Sequence, residues 1–243
     1  MPSPELSVIV PVYDEGPALP SRLDVLAAAV RAVGRTSEIL VVDDGSRDGG
    51  GARIAAWAAT QPARRVLTLP ENRGKGAAVQ TGMRAAVGAV RVFMDADLST
   101  DLDALPRALA ALDGGADVVF ATRRGAGAQV DQHQSALRER LGQGFSWLVR
   151  QLIDPRVDDC TCGFKAFTAP AATAVFSRVR VTRWAFDAEV AAIVRAQQLA
   201  LVMLPVRWTD RPASRVQVAG AVVRSTIDLT RILWRRASGA YTR

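Results

Sequence analysis

Short apolar runs alternate with longer amphipathic segments along the first half of the chain. The runs are mostly β-branched or apolar, as in buried strands, and lie at 6–12, 38–42, 66–69, 90–94 and 117–121. The segments between them carry apolar residues at helical spacing, which predicts helices at 18–33, 51–60, 76–87 and 103–112. This alternation predicts an α/β fold with a central, mostly parallel sheet flanked by helices.

Polar, acidic and glycine-rich residues follow four of the predicted strands. Right-handed crossovers bring the carboxyl ends of such strands to one edge of the sheet, and ligands bind at that edge. The residues predicted to meet there are Pro11, Tyr13 and Glu15 after the first strand, Asp43 and Asp44 after the second, Lys75 after the third, and Asp95, Ala96 and Asp97 after the fourth.

Asp95-Ala96-Asp97 directly follows an apolar run, as expected for a pair of metal ligands at the end of a strand. Mg²⁺ and Mn²⁺ prefer oxygen ligands and are usually held by one or two carboxylates plus substrate phosphates. An Asp-x-Asp tripeptide also arises by chance on solvated loops. The motif gains weight here because the other three strands also end in polar residues, and it predicts a phosphate-bearing ligand.

Lys75 stands between two glycines at the predicted start of a helix, where backbone amides and an ammonium group suit a diphosphate. An ordinary exposed lysine would show the same pattern. In the same way, Asp43-Asp44-Gly45-Ser46 suits a turn and a helix cap. The spacing matches neither a Walker P-loop nor the dinucleotide-binding glycine motif, so a nucleotide would be bound in another way.

Composition supports one domain of 243 residues, 49% of them hydrophobic, without an internal repeat. A loose stretch at 124–134 is rich in Gly, Ala and Gln and predicts a mobile loop. The segment at 6–12 is too short for a signal peptide, so we expect a cytoplasmic protein. Cys160 and Cys162 are too close to organise a disulfide framework, and His133 is the only histidine, which disfavours histidine-dependent nucleophilic catalysis.

Positive charge is concentrated at the C-terminus. The chain carries a net charge of +7, and eight Arg against two Asp from Arg207 onward account for +6 of it. A helical wheel places Arg224, Asp228, Arg231 and Arg235 on one face and apolar residues, including Ile227 and Trp234, on the other. Residues 216–243 therefore predict a basic amphipathic tail on a membrane surface, although a helix packed on the core would also fit. No motif indicates nucleic-acid binding.

Three ordered segments resemble the signatures of GT-A family 2 glycosyltransferases: 7–15 (SVIVPVYDE), 42–46 (VDDGS) and 95–99 (DADLS). The later segments 162–167 (CGFKAF), 183–189 (RWAFDAE) and 206–210 (VRWTD) resemble the dolichyl-phosphate β-glucosyltransferase branch. The resemblance covers nearly the whole chain. It implies a GT-A type nucleotide-sugar-binding fold with a mixed, mostly parallel sheet and a C-terminal amphipathic helix.

The resemblance implies inverting transfer of glucose from UDP-glucose to a polyprenyl or dolichyl monophosphate. Mg²⁺ or Mn²⁺ on Asp95 and Asp97 would neutralise the leaving diphosphate. A phosphate monoester is already anionic at neutral pH, so it needs positive charge to hold it rather than a strong base. Such an enzyme is expected on the cytoplasmic face of a membrane as a peripheral protein.

The resemblance also implies roles for individual residues. Pro11, Tyr13, Glu15 and Asp43 would surround the base and ribose, with Asp44 nearby and Lys75 close to the diphosphate. Arg123 and Arg138 are candidates to clamp the acceptor phosphate and Arg215 to reach the donor diphosphate, since guanidinium groups match phosphate oxygens, although solvated surface arginines would show the same pattern. Asp187 and Glu189 would lie near the sugar and the acceptor, binding hydroxyls or supporting the metal rather than taking a proton.

Other activities remain open at this stage. A family 2 enzyme could use GDP-mannose or a soluble acceptor, since the first-half motifs are shared across donors and acceptors. A sugar-1-phosphate nucleotidyltransferase would be expected to begin with a glycine-rich basic loop, which residues 11–15 do not provide. A non-catalytic nucleotide-sensing adaptor would not need both Asp95 and Asp97.

Overall fold

The computed structural model describes residues 3–132, 136–210 and 218–242, without the side chains of 136–138 and 218–223. The strands are β1 (Leu6–Val12), β2 (Ser37–Asp43), β3 (Arg64–Thr68), β4 (Val90–Met94), β5 (Val118–Thr122), β6 (Gln129–Gln132), β7 (Phe164–Thr168), β8 (Leu201–Pro205) and β9 (Arg207–Thr209). The helices are α1 (Leu19–Ala32), α2 (Gly50–Ala58), α3 (Lys75–Ala85), α4 (Ala104–Asp113), α5 (Ala136–Leu152), α6 (Ala169–Phe176), α7 (Phe186–Ala196) and α8 (Val218–Ala237).

Seven strands form the main sheet in the order β3-β2-β1-β4-β7-β5-β8. Strand β7 runs antiparallel to both β4 and β5, whereas the other neighbouring strands pair in parallel. Strands β6 and β9 form a separate two-stranded parallel sheet. The predicted mixed, mostly parallel sheet flanked by helices is confirmed.

Helices cover both faces of the sheet, and each face has its own hydrophobic cluster. Ile9 and Phe93 point to one cluster, whereas their neighbours Val8, Val10 and Val92 point to the other. All seven residues of β1 are buried, as expected for a strand at the centre of a parallel sheet. Buried on both faces, β1 and β4 hold the segments that follow them in fixed positions at the carboxyl edge.

Two glycines allow α3 to lie close to the sheet with its first turn at the carboxyl edge. A Cβ atom at Gly82 would lie 2.4 Å from Ile9 Cγ2, so only glycine permits this approach of α3 to β1. Gly74 precedes the helix with a φ of 102°, a conformation that other residues rarely adopt. Lys75 is therefore the first residue of α3 and lies at the edge where the strands end.

The predicted boundaries agree with the structure to within two residues at each end for β1 to β5 and for α1 to α4. The mobile loop predicted at 124–134 is wrong in part, because β6 occupies Gln129–Gln132 and pairs with β9. Strand β6 is exposed and mostly polar, so it carries no apolar alternation from which a strand could be predicted.

The buried and exposed residues of helix α8 differ from those that the helical wheel predicts. Leu229 and Ile232 are buried in the core, and Arg235 turns inward to a carboxylate of α7. Ile227 and Trp234 are exposed, seven residues apart and therefore on one stripe of the helix. No helix in the described parts of the chain combines the length and apolar composition that crossing a bilayer requires.

Candidate functional site

The candidate site lies where the order of the strands reverses. Strand β1 pairs with β2 on one side and with β4 on the other, so the segments leaving β1 and β4 open a crevice at the carboxyl edge. The segment after β1 contains Tyr13 and Glu15, and the segment after β4 contains Asp95 and Asp97. The topology therefore brings together the two motifs predicted to bind a nucleotide and a metal.

Lys75 and Asp95 form the central ion pair of this crevice. Lys75 Nζ lies 2.6 Å from Asp95 Oδ1, and its ammonium group also lies 5.7 Å from the centre of the Trp184 ring. Burial by itself lowers the pKa of Lys75, but the charges of Asp95 and Asp187 outweigh it and raise the pKa above its usual value. Lys75 therefore stays charged and provides a fixed cation beside the Asp-x-Asp motif.

Asp97 and Glu15 add two further carboxylates. Asp97 Oδ1 accepts a hydrogen bond from the Ser99 amide at 2.9 Å, and Glu15 pairs with Arg22 at 3.0 Å. Burial raises the pKa of Asp97, and the charge of Asp95 raises it further. Burial likewise raises the pKa of Glu15, to which Asp97 and Asp95 add smaller contributions. These carboxylates repel one another and would be stabilised by a cation.

Gly163 forms one wall of the site and touches the Asp95 carboxylate. Its carbonyl accepts a hydrogen bond from the Asp95 amide at 3.1 Å. A Cβ atom at Gly163 would lie 2.0 Å from Asp95 Oδ2, which leaves no room for any side chain. The turn before β7 therefore holds the first carboxylate of the motif in place.

Asp43 and Asp44 shape the neighbouring turns. Asp43 Oδ1 accepts a hydrogen bond from the Ser46 amide at 2.9 Å, and Asp44 accepts from the Arg73 and Gly74 amides at 2.8 Å each. Asp44 thus supports the segment that leads into Lys75. Both side chains are buried, and their hydrogen bonds to backbone amides hold these loops, whereas the N-cap of α2 is Gly49.

The segment after β1 presents residues of different exposure. Pro11 is buried within β1, whereas the Tyr13 side chain is 39% exposed. Ala96, between the two aspartates, is buried. An exposed aromatic ring at the rim provides a surface on which a nucleotide base would stack.

Asp187 lies behind the central ion pair and is bound to a buried lysine. Lys165 Nζ lies 2.6 Å from Asp187 Oδ1 and also donates to the carbonyls of Cys160 and Cys162 at 3.0 and 2.9 Å. Burial raises the pKa of Asp187 although the charges of Lys165 and Lys75 oppose it. Asp187 therefore belongs to the same charge cluster as Lys75, in a second layer beneath it.

Arg123 is held by a buried aspartate. Its Nε and Nη2 atoms donate to Asp159 at 2.7 and 2.9 Å, and Nη2 also donates to Thr161 Oγ1 at 2.8 Å. Burial alone would raise the pKa of Asp159, but the hydrogen bonds and charge of Arg123 lower it to about 2. The Arg123 guanidinium is thus rigid, and its charge interacts with Asp95.

Glu189 has partners different from those of the other predicted site residues. It is wholly buried and accepts hydrogen bonds from the Arg180 and Val181 amides, Arg235 and Tyr241. Asp187 and Glu189 lie two residues apart on α7, and this spacing turns their side chains to different neighbours. Arg215 and His133 lie outside the described residues, as does the side chain of Arg138.

Three residues of the site were not singled out from the sequence: Gly163, Lys165 and Asp159. Lys165 gave a signal, because it is the only charged residue in β7, a strand that is apolar apart from Lys165 and Thr168. Asp159 gave none, and Gly163 gave only its place in the segment 162–167, since their roles depend on contacts with Arg123 and Asp95 that form only in the folded chain.

The carboxylate oxygens of this site suit a hard divalent cation whose remaining coordination positions are filled by the phosphates of a bound ligand. Asp95 and Asp97 offer carboxylate oxygens, and burial together with the charge of Asp95 raises the pKa of Asp97. Within the described ranges, no group of three or more His, Cys, Asp or Glu side chains is arranged to hold a metal ion. A metal here would depend on ligand phosphates, as the sequence predicts. Cys160 and Cys162 are buried free thiols.

A family model described as glycosyl transferase family 2 matches residues 7–176. The chain is 36% identical to a dolichyl-phosphate beta-glucosyltransferase from Drosophila melanogaster, over 99% of this chain and 78% of that protein. It is 32% identical to the protein of the same name from Homo sapiens, again over 99% of this chain and 78% of the relative.

Solved structures share the fold at lower identity. Glucosyl-3-phosphoglycerate synthase from Mycobacterium tuberculosis, in complex with Mn²⁺, UDP-glucose and phosphoglyceric acid, has a TM-score of 0.70 at 18% identity, covering 95% of this chain and 80% of the other. A mannosyltransferase from Pyrobaculum calidifontis, in complex with GDP-Man and Mn²⁺, has a TM-score of 0.61 at 21% identity, covering 97% of this chain and 64% of the other.

Proposed function

The chain belongs to glycosyl transferase family 2, and we propose that it transfers glucose from UDP-glucose to a polyprenyl (dolichyl-type) monophosphate with inversion at the anomeric carbon. The observation that carries this proposal is the 36% identity to a dolichyl-phosphate beta-glucosyltransferase over 99% of the chain. The charge cluster at the carboxyl edge supports it with chemistry suited to a nucleotide sugar.

On the donor side, Tyr13 offers its exposed ring to the base, with Pro11, Glu15 and Asp43 around the base and ribose. Lys75 holds negative charge on the diphosphate, and Asp44 fixes the turn that leads into Lys75. Arg215 would add a second cation, although it lies outside the described residues. The Lys75 ammonium exchanges part of its contact with Asp95 for the diphosphate as the donor enters.

Asp95 and Asp97 would hold Mg²⁺ or Mn²⁺ together with the donor diphosphate. The bound metal supplies Lewis-acid stabilisation of the charge on the leaving diphosphate. The chain itself contributes the position of the carboxylates: Gly163 packs on Asp95, and Ser99 binds Asp97. Mn²⁺ in the two structural neighbours supports a divalent cation without choosing between the metals.

The acceptor phosphate is anionic at neutral pH, so its oxygen attacks the anomeric carbon without a strong base. The bond from that carbon to the donor diphosphate breaks as the new bond forms on the opposite face, which inverts the configuration. Arg123, rigidly held by Asp159, and Arg138 supply positive charge for the acceptor. Asp187 binds a sugar hydroxyl or supports the metal site from the second layer.

A lipid acceptor requires the enzyme to work at a membrane surface, and two helices suit that contact. Helix α5 exposes Trp147, Leu148 and Leu152, and α8 exposes Ile227 and Trp234. The two helices meet where Arg236 of α8 donates to the carbonyls of Leu152 and Ile153. Aromatic and aliphatic side chains among arginines favour an anionic interface. We place the enzyme on the cytoplasmic face as a peripheral protein.

The proposal is tested by transfer of radiolabelled sugar to a polyprenyl phosphate in detergent with Mg²⁺ or Mn²⁺. Label is expected in the organic phase from UDP-glucose, lost with EDTA, and much lower from GDP-mannose. Labelled lipid formed only from GDP-mannose would identify GDP-mannose as the donor, and the proposed mechanism would stand. An absence of lipid product from either donor would overturn the lipid acceptor.

A soluble phosphorylated acceptor is the second candidate. Its support is the fold shared with a synthase whose complex contains UDP-glucose and phosphoglyceric acid. The same assay distinguishes the two, since phosphoglycerate added in place of polyprenyl phosphate would leave a labelled product in the aqueous phase. We favour the lipid because the sequence similarity to the lipid-dependent enzymes is higher, at 36% against 18%.

A further inference from the structure

We propose that Glu189 is a positioning residue through which the C-terminal segment of the chain holds the donor-binding end of α3 in place. This inference rests on the proposed function, because it concerns how firmly the Lys75 site binds a nucleotide diphosphate. It assigns Glu189 a role different from the sugar and acceptor contacts expected from its sequence position.

One carboxylate oxygen of Glu189 binds the segment that precedes α7. Oε2 accepts hydrogen bonds from the Arg180 amide at 2.7 Å and from the Val181 amide at 2.6 Å. The carboxylate is wholly buried, so water does not compete for these donors. Two charge-assisted hydrogen bonds to consecutive amides fix the course of this backbone segment.

The same segment packs on the first turn of α3. The Thr182 carbonyl accepts a hydrogen bond from the Ala77 amide at 3.0 Å. A Cβ atom at Gly74 would lie 2.7 Å from that carbonyl, and one at Gly76 would lie 2.8 Å from the Val181 carbonyl. The backbone on both sides of Lys75 is therefore in direct contact with the segment that Glu189 holds.

The next residues of this segment carry Trp184, whose ring lies 5.7 Å from Lys75 Nζ. A shift of the segment would thus move both the backbone around Lys75 and the aromatic ring beside its ammonium group. Because Lys75 pairs with Asp95 at 2.6 Å, the displacement would also reach the Asp-x-Asp motif.

The other carboxylate oxygen of Glu189 binds the C-terminus. Oε1 accepts hydrogen bonds from Arg235 Nη1 at 2.9 Å and from the Tyr241 hydroxyl at 2.8 Å. Tyr241 is buried, and its backbone carbonyl accepts a hydrogen bond from the Gln197 side chain. Glu189 therefore connects α8 and the residues after it to the donor side of the site.

Four protein donors occupy Glu189, which explains why a buried carboxylate is needed there. Two are backbone amides and two are side chains of the C-terminal segment. A glutamine would present an amide nitrogen to one of these two pairs of donors, and that pair would lose its acceptor. The packing of the C-terminal segment and the order of the nucleotide site are thereby linked through one side chain.

The test compares Glu189→Gln with Glu38→Gln, a matched control. Glu38 is also buried and accepts from Ser7, Val87 and Arg65, but it lies near the amino end of β2, at the opposite edge of the sheet. Calorimetric titration of the full chain with UDP and Mn²⁺ gives the dissociation constant, and thermal unfolding gives the stability. Glu189→Gln is expected to raise the dissociation constant about tenfold, as for a displaced binding group. Glu38→Gln is expected to lower the melting temperature without raising the dissociation constant.

Tyr241→Phe removes one of the two C-terminal hydrogen bonds to Glu189, leaves that from Arg235, and is the variant to measure if Glu189→Gln does not fold. It is expected to weaken UDP binding about threefold at an unchanged fold. Wild-type affinity in Tyr241→Phe would overturn the link to the C-terminus. If Glu189→Gln and Glu38→Gln weakened UDP binding equally, Glu189 would contribute only to overall stability, and the inference would be overturned. If the unaltered protein did not bind UDP with Mn²⁺, the proposed function would fail as well.

Discussion

Gly163→Ala is expected to lower sugar transfer about a hundredfold and to weaken binding of UDP with Mn²⁺, while leaving the chain folded. A Cβ atom at this position would lie 2.0 Å from Asp95 Oδ2 and 2.4 Å from Asp95 Cγ. The backbone of Gly163 is not in the left-handed region, so alanine can adopt its conformation. The whole effect of the added methyl group therefore falls on the Asp95 carboxylate.

The size of the effect follows from these distances. Non-bonded atoms rest at about 3.5 Å, so the carboxylate must move by about 1.5 Å. The ion pair with Lys75, now 2.6 Å long, cannot survive that shift in its present geometry. A misplacement of about 1 Å in a catalytic site costs about a hundredfold in rate, or about 2.7 kcal/mol of transition-state stabilisation.

The fold is expected to survive, because the obstructing atoms end a side chain that can rotate. Overpacking of this kind costs about 1 to 2 kcal/mol of unfolding free energy. Calorimetric titration with UDP and Mn²⁺, label transfer and chemical denaturation measure the three quantities. Gly144→Ala in α5 is the control, since an added Cβ there meets no atom within 4 Å. Wild-type UDP affinity in Gly163→Ala would refute the reasoning.

Three further predictions concern charge and the apolar surface. Asp97→Asn is expected to lower metal-dependent transfer about a hundredfold yet to raise the melting temperature at pH 7. The reason is that a buried carboxyl with a raised pKa stabilises the fold only when protonated, so its charge costs stability above that pKa. Asp159→Asn is expected to lower the unfolding free energy at pH 7 by about 2 kcal/mol. This loss is expected because folding lowers the pKa of Asp159 from 3.8 to about 2. Denaturation at several pH values should show this deficit disappearing as the pH falls from 3.8 towards 2; a deficit constant with pH would contradict it. Trp147→Ala with Trp234→Ala is expected to weaken sedimentation with anionic vesicles about tenfold, and unchanged partitioning would exclude this surface as the membrane contact.

Most strands and helices in the first half of the chain can be predicted from the local pattern of apolar and polar residues. The strands β1 and β4 appear at their predicted bounds, because both are continuous apolar runs followed by polar residues. The prediction for β3 differs from the observed strand by one or two residues at each end, because the strand begins with two arginines that no apolar pattern marks. Strand β6 is not predicted, because its pairing with β9 joins distant segments, Gln129 with Arg207 and Gln132 with Thr209, a contact that local sequence does not encode.

The C-terminal helix shows how packing overrides a helical wheel. Arg235 belongs to the charged face by periodicity, yet it turns inward because Glu189, buried on α7, needs a donor. Leu229 and Trp234 are both apolar residues of this helix, yet one is buried and the other is 71% exposed. A wheel describes one helix, whereas burial depends on which neighbouring helices cover it.

The sequence by itself determined the α/β class, the edge at which the predicted site residues gather, and the Asp95 to Asp97 motif. These follow from periodicity and from the order of strands and turns, both of which are local properties of the chain. Only the tertiary structure decided that Gly163 packs on Asp95 and that Lys165 neutralises Asp187. It also decided that Glu189 serves the C-terminus, because each of these contacts joins residues distant in sequence through close packing in the core.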